Sequence, residues 1–292
     1  MGFDVAVMTA VQALANVSTV FFDYLFLAFT MLAEGGVLLV AVFTVYWCVD
    51  KKLGEYLLFS LYLSLTANSI LKDIVRRPRP FLTEGVSVRY LRVDTPLVDT
   101  AGLAHSFSFP SGHSQCAGSV MTALALWFKK RWLTVTAVLL IVGVMLSRVY
   151  LGVHFPTDVL AGAVLGVGAS VLGWFLFQKF YDHRFWLFAA VAAVSLPALL
   201  LSPSADTVKT IGVGIGGTLG LALETRYIHF TMDTKPRRRA LRLLVGGGVL
   251  LVLYAGLKAV FPATLFFGGL RYGIIGLAAA GLVPWLFVKF KI

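Results

Sequence analysis

The stretch "SRVYLGVHFPTD", residues 147–158, combines an arginine, a histidine and an aspartate in a form that could do chemistry. Pro156 is predicted to begin the next helix, at a position where proline is favoured. Asp158 follows His154 by four residues, close enough for the carboxylate to bond one ring nitrogen and fix the tautomer. A neutral imidazole held in this way is a nucleophile or a base, and the guanidinium of Arg148 suits a phosphate group. The stretch therefore indicates phosphate chemistry, with an interfacial Arg–Asp pair and a spectator histidine as the alternative.

A second motif, "KDIVRRPRP" at residues 72–80, contains four basic residues, of which Lys72 and Arg79 have a spacing that suits a phosphate. Lys72 and Arg79 lie about two helical turns apart. Pro78 and Pro80 predict that the helix ends here and that the chain continues in an extended form. A lysine point charge and an arginine fork together suit a tetrahedral phosphate. The alternative is a basic cluster beside a membrane with no ligand.

A third motif, "FPSGHS" at residues 109–114, reads as the start of a helix that binds an anion. Ser111 can cap the helix, and Gly112 lets the backbone approach a ligand closely. The exposed amides and the helix dipole then attract negative charge, with His113 above them. The alternative is an ordinary capped helix with an interfacial histidine.

These motifs must be positioned by membrane helices. The chain has 292 residues, of which 59% are hydrophobic and only 13% charged, with a mean hydropathy of +0.86. Spanning helices need about 20 mostly apolar residues, and the sequence predicts an all-α, polytopic transmembrane bundle of about nine spans, with a range of eight to ten. The predicted spans are 33–49, 53–71, 113–128, 132–150, 157–178, 185–201, 208–228, 240–260 and 271–288.

The chain divides into three parts by this pattern. Residues 1–32 carry several polar side chains among apolar ones and are predicted to be an interfacial or re-entrant lead-in, with a tenth span as the alternative. Residues 33–180 form the predicted catalytic core, with an outer loop at 73–112. Residues 181–292 form additional helices in which no residue pattern points to catalysis. The glycines at 212–217, and Gly162 and Gly166 in the core, predict close helix contacts.

The charge distribution predicts the orientation. The net charge is +11, and a plan of nine spans with the N-terminus outside puts fifteen of the 25 basic residues in the cytoplasm, as the positive-inside rule favours. The basic run at 234–242 is then a cytoplasmic anchor near lipid headgroups rather than a nucleic-acid site. In this plan all three motifs meet on the non-cytoplasmic face of a plasma or inner membrane, and the C-terminus is cytoplasmic.

The three motifs together resemble the signature of a known family. K-x6-R-P at 72–80, P-S-G-H at 110–113 and S-R-x5-H-x3-D at 147–158 are similar to the type 2 phosphatidic acid phosphatase superfamily, in its membrane-bound branch. That superfamily includes lipid phosphate phosphatases, glucose-6-phosphatases and vanadium haloperoxidases. The resemblance implies a six-helix catalytic core, so this chain would carry extra helices after it.

The resemblance also implies residue roles. His154 would be the nucleophile that forms a phosphohistidine, Asp158 would orient it, and His113 would be the general acid and base. The residues that would hold the phosphoryl oxygens are Lys72, Arg79, Ser111, Gly112 and Arg148. We expect no cofactor and no metal, because the carboxylates of the outer loop have no ligand spacing and are predicted to be solvated or to face substrate. Those carboxylates are Asp73, Glu84, Asp94 and Asp99.

The function expected from these residues is the hydrolysis of a lipid phosphate or a polyprenyl (di)phosphate, with the lipid tail kept in the membrane. The alternatives are hydrolysis of a soluble monoester such as glucose 6-phosphate, lipid phosphotransfer, and a non-catalytic transporter or scaffold on the same fold. The nine-span plan resembles the topology of glucose-6-phosphatases, whereas Asp158 matches the residue pattern of lipid phosphatases. A membrane lipid is the expected partner, and nucleic acid is not.

Overall fold

A computed structural model describes residues 2–87, 89, 106–201, 203–232 and 235–292, and the regular structure in those ranges is entirely helical. Short 3₁₀ and π-helical turns join several of the helices. The α-helices are α1 Gly2–Gln12, α2 Thr19–Leu32, α3 Gly35–Cys48, α4 Lys51–Val75, α5 Gly112–Phe128, α6 Arg131–Tyr150, α7 Pro156–Lys179, α8 Arg184–Ser195, α9 Ala205–Leu223, α10 Pro236–Val260, α11 Leu265–Leu277 and α12 Val283–Lys289.

Five segments of the described chain are long and apolar enough to cross a membrane. They are 131–150, 156–179, 181–200, 236–260 and 265–289. A sixth arises if α2 and α3, which meet at an angle of 47°, count as one broken span. The predicted number of about nine is therefore not confirmed, since α4, α5 and α9 are helices that do not meet the combined requirement of length and hydropathy.

The helix ends follow local rules. Ser111 is the N-cap of α5 and accepts a bond from the Ser114 amide, as predicted. Pro156 is the first residue of α7, also as predicted, because proline lacks the amide hydrogen that this position leaves unpaired anyway. α4 continues to Val75 before Pro78, so the outer loop begins later than residue 73. Asp73 lies in this helix and is buried, which corrects the prediction of a solvated or substrate-facing side chain.

The chain forms two compact units, and the first contains all three motifs. It comprises residues 1–38 and 70–172. Within it, α5 and α7 pack with almost no side chain between them, since an added Cβ at Gly166 would lie 2.1 Å from the carbonyl oxygen of Gln115. At Gly162 it would lie 2.4 Å from the carbonyl oxygen of Ser111. The predicted close helix contacts of both glycines are confirmed, and they hold the PSGH segment against the start of α7.

The second unit comprises residues 39–69 and 173–292. Its helices α9 and α11 approach closely, since an added Cβ at Gly212 or Gly216 would meet the carbonyl of Gly269 or Gly273. These contacts confirm the interpretation of residues 212–217 as a packing segment. A buried arginine, Arg242, donates to the carbonyl oxygens at the end of α3 and after α9, which ties distant parts of the unit together.

Candidate active site

His154 lies in the short loop between α6 and α7 and is 2% exposed. Its Nε2 is 3.2 Å from Nη1 of Arg79. A guanidinium can only donate hydrogen bonds, so Nε2 must be the acceptor and the ring proton must be on Nδ1. The contact therefore defines a neutral imidazole with its lone pair on Nε2.

The Nδ1 side of His154 faces Ser108 and Asp158. The ring nitrogen is 3.4 Å from Oγ of Ser108 and 3.8 Å from Oδ2 of Asp158. Ser108 in turn donates a hydrogen bond to Asp158 Oδ2. The sequence spacing predicted a direct bond between carboxylate and imidazole; instead the serine hydroxyl lies between them, accepting from His154 and donating to Asp158.

Asp158 is fully buried and is held by several donors. Nη1 of Arg77 lies 2.7 Å from Oδ1, and the amide of Phe155 lies 2.9 Å from Oδ2. The other end of the same guanidinium binds Asp4, whose carboxylate also accepts from Thr157. Burial alone would raise the pKa of Asp4, but the bonds from Arg77 and Thr157 bring it below the ordinary value. Helix α1 is thereby bonded to the residues that hold Asp158.

Of the three predicted cations, Arg79 contacts His154, and the charges of Arg148 and Lys72 also act on it. Arg79 is 2% exposed and is fixed by the carbonyl of Val153 at 2.9 Å and the hydroxyl of Ser106 at 2.6 Å. Arg148, equally buried in the last turn of α6, donates to Thr30 at 2.6 Å. Lys72 lies in the last turn of α4.

These charges act on the protonation of His154. Burial lowers the pKa of His154 well below its ordinary value, and the positive charges of Arg79, Arg148 and Lys72 lower it further. The imidazole is therefore neutral at neutral pH, which is the form that a nitrogen nucleophile requires.

The PSGH segment presents the second histidine. Ser111 is fully buried, and its Oγ accepts bonds from the amide and the hydroxyl of Ser114, so the hydroxyl keeps a proton to donate. Gly112 begins α5, and His113 follows it. Nε2 of His113 lies 3.1 Å from Oε2 of Glu34, a residue between α2 and α3.

Two known protein families match separate parts of the chain. Residues 54–184, which contain all three motifs, match the PAP2 superfamily. Residues 208–292 match the transmembrane extension of PAP2 superfamily phosphatases. The chain belongs to the PAP2 superfamily. With its several candidate spans and the PAP2 transmembrane extension, it is an integral membrane protein.

Individual PAP2 relatives differ in substrate. An undecaprenyl-diphosphatase of Sulfolobus acidocaldarius is 32% identical over 42% of this chain and 54% of its own length. Phosphatidylglycerophosphatase B of Bacillus subtilis is 38% identical over 34% of this chain and 46% of its own length. Human glucose-6-phosphatase 3 is 26% identical over 77% of this chain and 68% of its own length.

The chain thus spans about half the length of the first two relatives. No solved structure matches it significantly.

Several residues of this candidate site were missed by the sequence argument. Their side chains contact the predicted residues from segments far away in the chain. They are Asp4, Thr30, Glu34, Arg77 and Ser108. Polar side chains in the apolar first 32 residues were the available signal for two of them. Ser108 directly precedes one identified motif, and Arg77 lies inside another.

Among the described residues, no three His, Cys, Asp or Glu side chains are placed to hold a metal ion. Asp94 and Asp99 lie outside the described residues, so their predicted exposure stays a prediction.

Proposed function

We propose that this protein is an integral membrane phosphatase that hydrolyses a lipid phosphate or polyprenyl (di)phosphate through a phosphohistidine, without a metal ion. The observation that carries the proposal is the contact between Arg79 and Nε2 of His154 at 3.2 Å. It combines an unprotonated nitrogen with a fixed cation, which is what attack on a phosphoryl group requires.

In the first step, Nε2 of His154 gives up its hydrogen bond from Arg79, whose guanidinium moves to a phosphoryl oxygen, and the freed lone pair attacks phosphorus. The N–P bond forms as the bond to the leaving oxygen breaks, and His113 gives its proton to that oxygen. The imidazolium character that develops on His154 is stabilised by Asp158 through the Ser108 hydroxyl. Lys72, Arg79 and Arg148 neutralise the charge on the phosphoryl oxygens, with the PSGH hydroxyl and amides as further donors.

In the second step, the now neutral His113 takes a proton from water. The water oxygen attacks phosphorus, the N–P bond breaks, and inorganic phosphate leaves. His154 returns to its neutral form and His113 to its protonated form, so both residues are ready for another cycle.

A lipid substrate is supported by an apolar groove beside the site. The groove lies between α1, α6 and α7, and its wall reaches Pro156 and Thr157, just before Asp158. It would accept a hydrocarbon chain while the phosphate meets the cations. In our proposal α4, α5 and α9 also cross the bilayer, which gives nine spans, with the catalytic face on the non-cytoplasmic side.

The second candidate function is hydrolysis of a soluble sugar phosphate. It is favoured by the long alignment with human glucose-6-phosphatase 3, which covers 77% of this chain. The same histidines and cations would serve this reaction, so the two candidates differ only in the group that leaves.

The test is phosphate release by the detergent-purified protein in EDTA, from phosphatidate, phosphatidylglycerol phosphate, a polyprenyl diphosphate and glucose 6-phosphate. We expect release from a lipid, abolished in His154→Ala and retained in His183→Ala, which changes an exposed histidine of the second unit. Release from glucose 6-phosphate alone would establish the second candidate. Release that survives His154→Ala would overturn the mechanism, and no release from any of the four would overturn hydrolysis of these substrates.

A further inference from the structure

Glu34 is the anion that contacts the second histidine. It lies at the break between α2 and α3, and its Oε2 is 3.1 Å from Nε2 of His113. Its side chain is 37% exposed and that of His113 is 22% exposed, so the pair lies at the open side of the site. The backbone carbonyl of Glu34 accepts a hydrogen bond from the amide of Leu38 at 3.0 Å, at the start of α3. Its side chain, by contrast, reaches across to another helix.

The charges around His113 otherwise oppose its protonated form. Burial and the positive charges of Arg148 from α6 and Lys72 from α4 favour the neutral ring, and Glu34 from the α2–α3 break favours the protonated ring. Two of these three are cations that bind the phosphate in our proposal. A ring beside two cations loses its proton readily unless an anion compensates. Glu34 is the group in position to do so.

We propose that Glu34 is a positioning residue that orients the ring of His113 and stabilises its protonated form when it donates to the leaving oxygen. This inference rests on the proposed phosphatase function. The carboxylate takes no part in bond making: the proton passes from His113 to the alkoxide as the P–O bond breaks, and Glu34 stabilises the imidazolium before that transfer. When His113 later accepts a proton from water, the same carboxylate stabilises the product.

A purely structural role would give a different result. The pair is partly exposed, and exposed ion pairs contribute little to stability. The effect of losing Glu34 should therefore depend on how much the leaving group needs a proton. A lipid or sugar alkoxide is a poor leaving group that needs one, whereas p-nitrophenolate leaves unaided.

The experiment compares kcat/KM of Glu34→Gln for a lipid phosphate and for p-nitrophenyl phosphate, because kcat/KM reports only the steps up to phosphoenzyme formation. We expect at least about a tenfold loss with the lipid phosphate, out of the roughly 10²- to 10⁴-fold that a positioned general acid contributes. The loss with p-nitrophenyl phosphate should be less than about threefold. Glu84→Gln, which removes an exposed carboxylate from the outer loop, is the matched control and should retain wild-type rates.

A double variant gives an independent readout. If Glu34 acts through His113, then adding Glu34→Gln to His113→Ala should cause no further loss. Equal losses with both substrates, no loss with either, or additive losses in the double variant would overturn the role of Glu34. A wild-type protein that releases no phosphate from any substrate would instead overturn the proposed function, so the two failures are distinguishable.

Discussion

Replacing Ser108 with alanine tests the link between Asp158 and the proposed nucleophile. The substitution removes the oxygen that lies 3.4 Å from Nδ1 of His154 and donates to Asp158. The imidazole then has a buried N–H with no acceptor at hydrogen-bond distance, because Asp158 Oδ2 is 3.8 Å away. We expect slower attack on phosphorus, since the charge that develops on the ring is less well stabilised.

The size of the effect follows from this geometry. A buried donor left without its partner costs about 1–3 kcal/mol, which corresponds to roughly 5- to 150-fold in rate. Asp158 would have to move by about 1 Å to bond the ring directly, but Arg77 and the Phe155 amide hold its two oxygens. We therefore expect kcat/KM to fall by about tenfold to a hundredfold, less than the loss in His154→Ala.

The assay is the initial rate of phosphate release in detergent with the best substrate of the panel. Ser119→Ala is the matched control, because Ser119 is an equally buried serine whose hydroxyl lies 3.3 Å from that of Ser170. This variant should keep full activity. If the folded Ser108→Ala variant keeps kcat/KM within about twofold of wild type, the link from Asp158 through Ser108 to His154 is refuted.

Three further predictions concern charge, pH and packing. Arg77→Ala removes the ion pair of buried Asp158 and should lower both kcat/KM and the melting temperature, because the loss of a buried partner costs about 3–5 kcal/mol. Unchanged activity would contradict the role of Arg77 in positioning Asp158. Because His154 stays neutral when folded, the unfolded chain binds an extra proton below about pH 6.5. The melting temperature should therefore fall as the pH drops through this value, and His154→Gln should reduce that fall; parallel curves would contradict the lowered pKa. Gly166→Ala places a Cβ within 2.1 Å of a facing carbonyl oxygen and should lower the melting temperature, because overpacking costs about 1–3 kcal/mol. Gly168→Ala is the control, since its Cβ would meet nothing within 4 Å. Equal melting temperatures for the two variants would contradict the packing argument.

The number of spans was the part of the fold that the apolar pattern did not settle. Each predicted apolar run is helical in the structure, but α5 is only 17 residues long and α4 carries charged residues in its first and last turns. A hydropathy pattern measures the average preference of a segment for lipid. It does not distinguish a helix that faces lipid from one that is buried among other helices, because both are apolar.

Within the site, sequence reasoning succeeded where the rules are local. Ser111 caps α5 and Pro156 begins α7 because both effects depend on the backbone groups of neighbouring residues. It failed where the partner is distant. Ser108 lies 46 residues before His154, and Glu34 lies 79 residues before His113. No periodicity connects positions so far apart.

The sequence by itself determined that this is a helical membrane protein with three motifs of one family, since long apolar runs and spaced signature residues are properties of the chain alone. Only the tertiary structure decided which atoms meet: that Arg79 contacts Nε2 of His154, that Ser108 lies between His154 and Asp158, and that Glu34 approaches His113. The physical reason is that hydrogen bonds depend on distances of a few tenths of an ångström. Those distances are set by close helix packing, which the order of residues does not reveal.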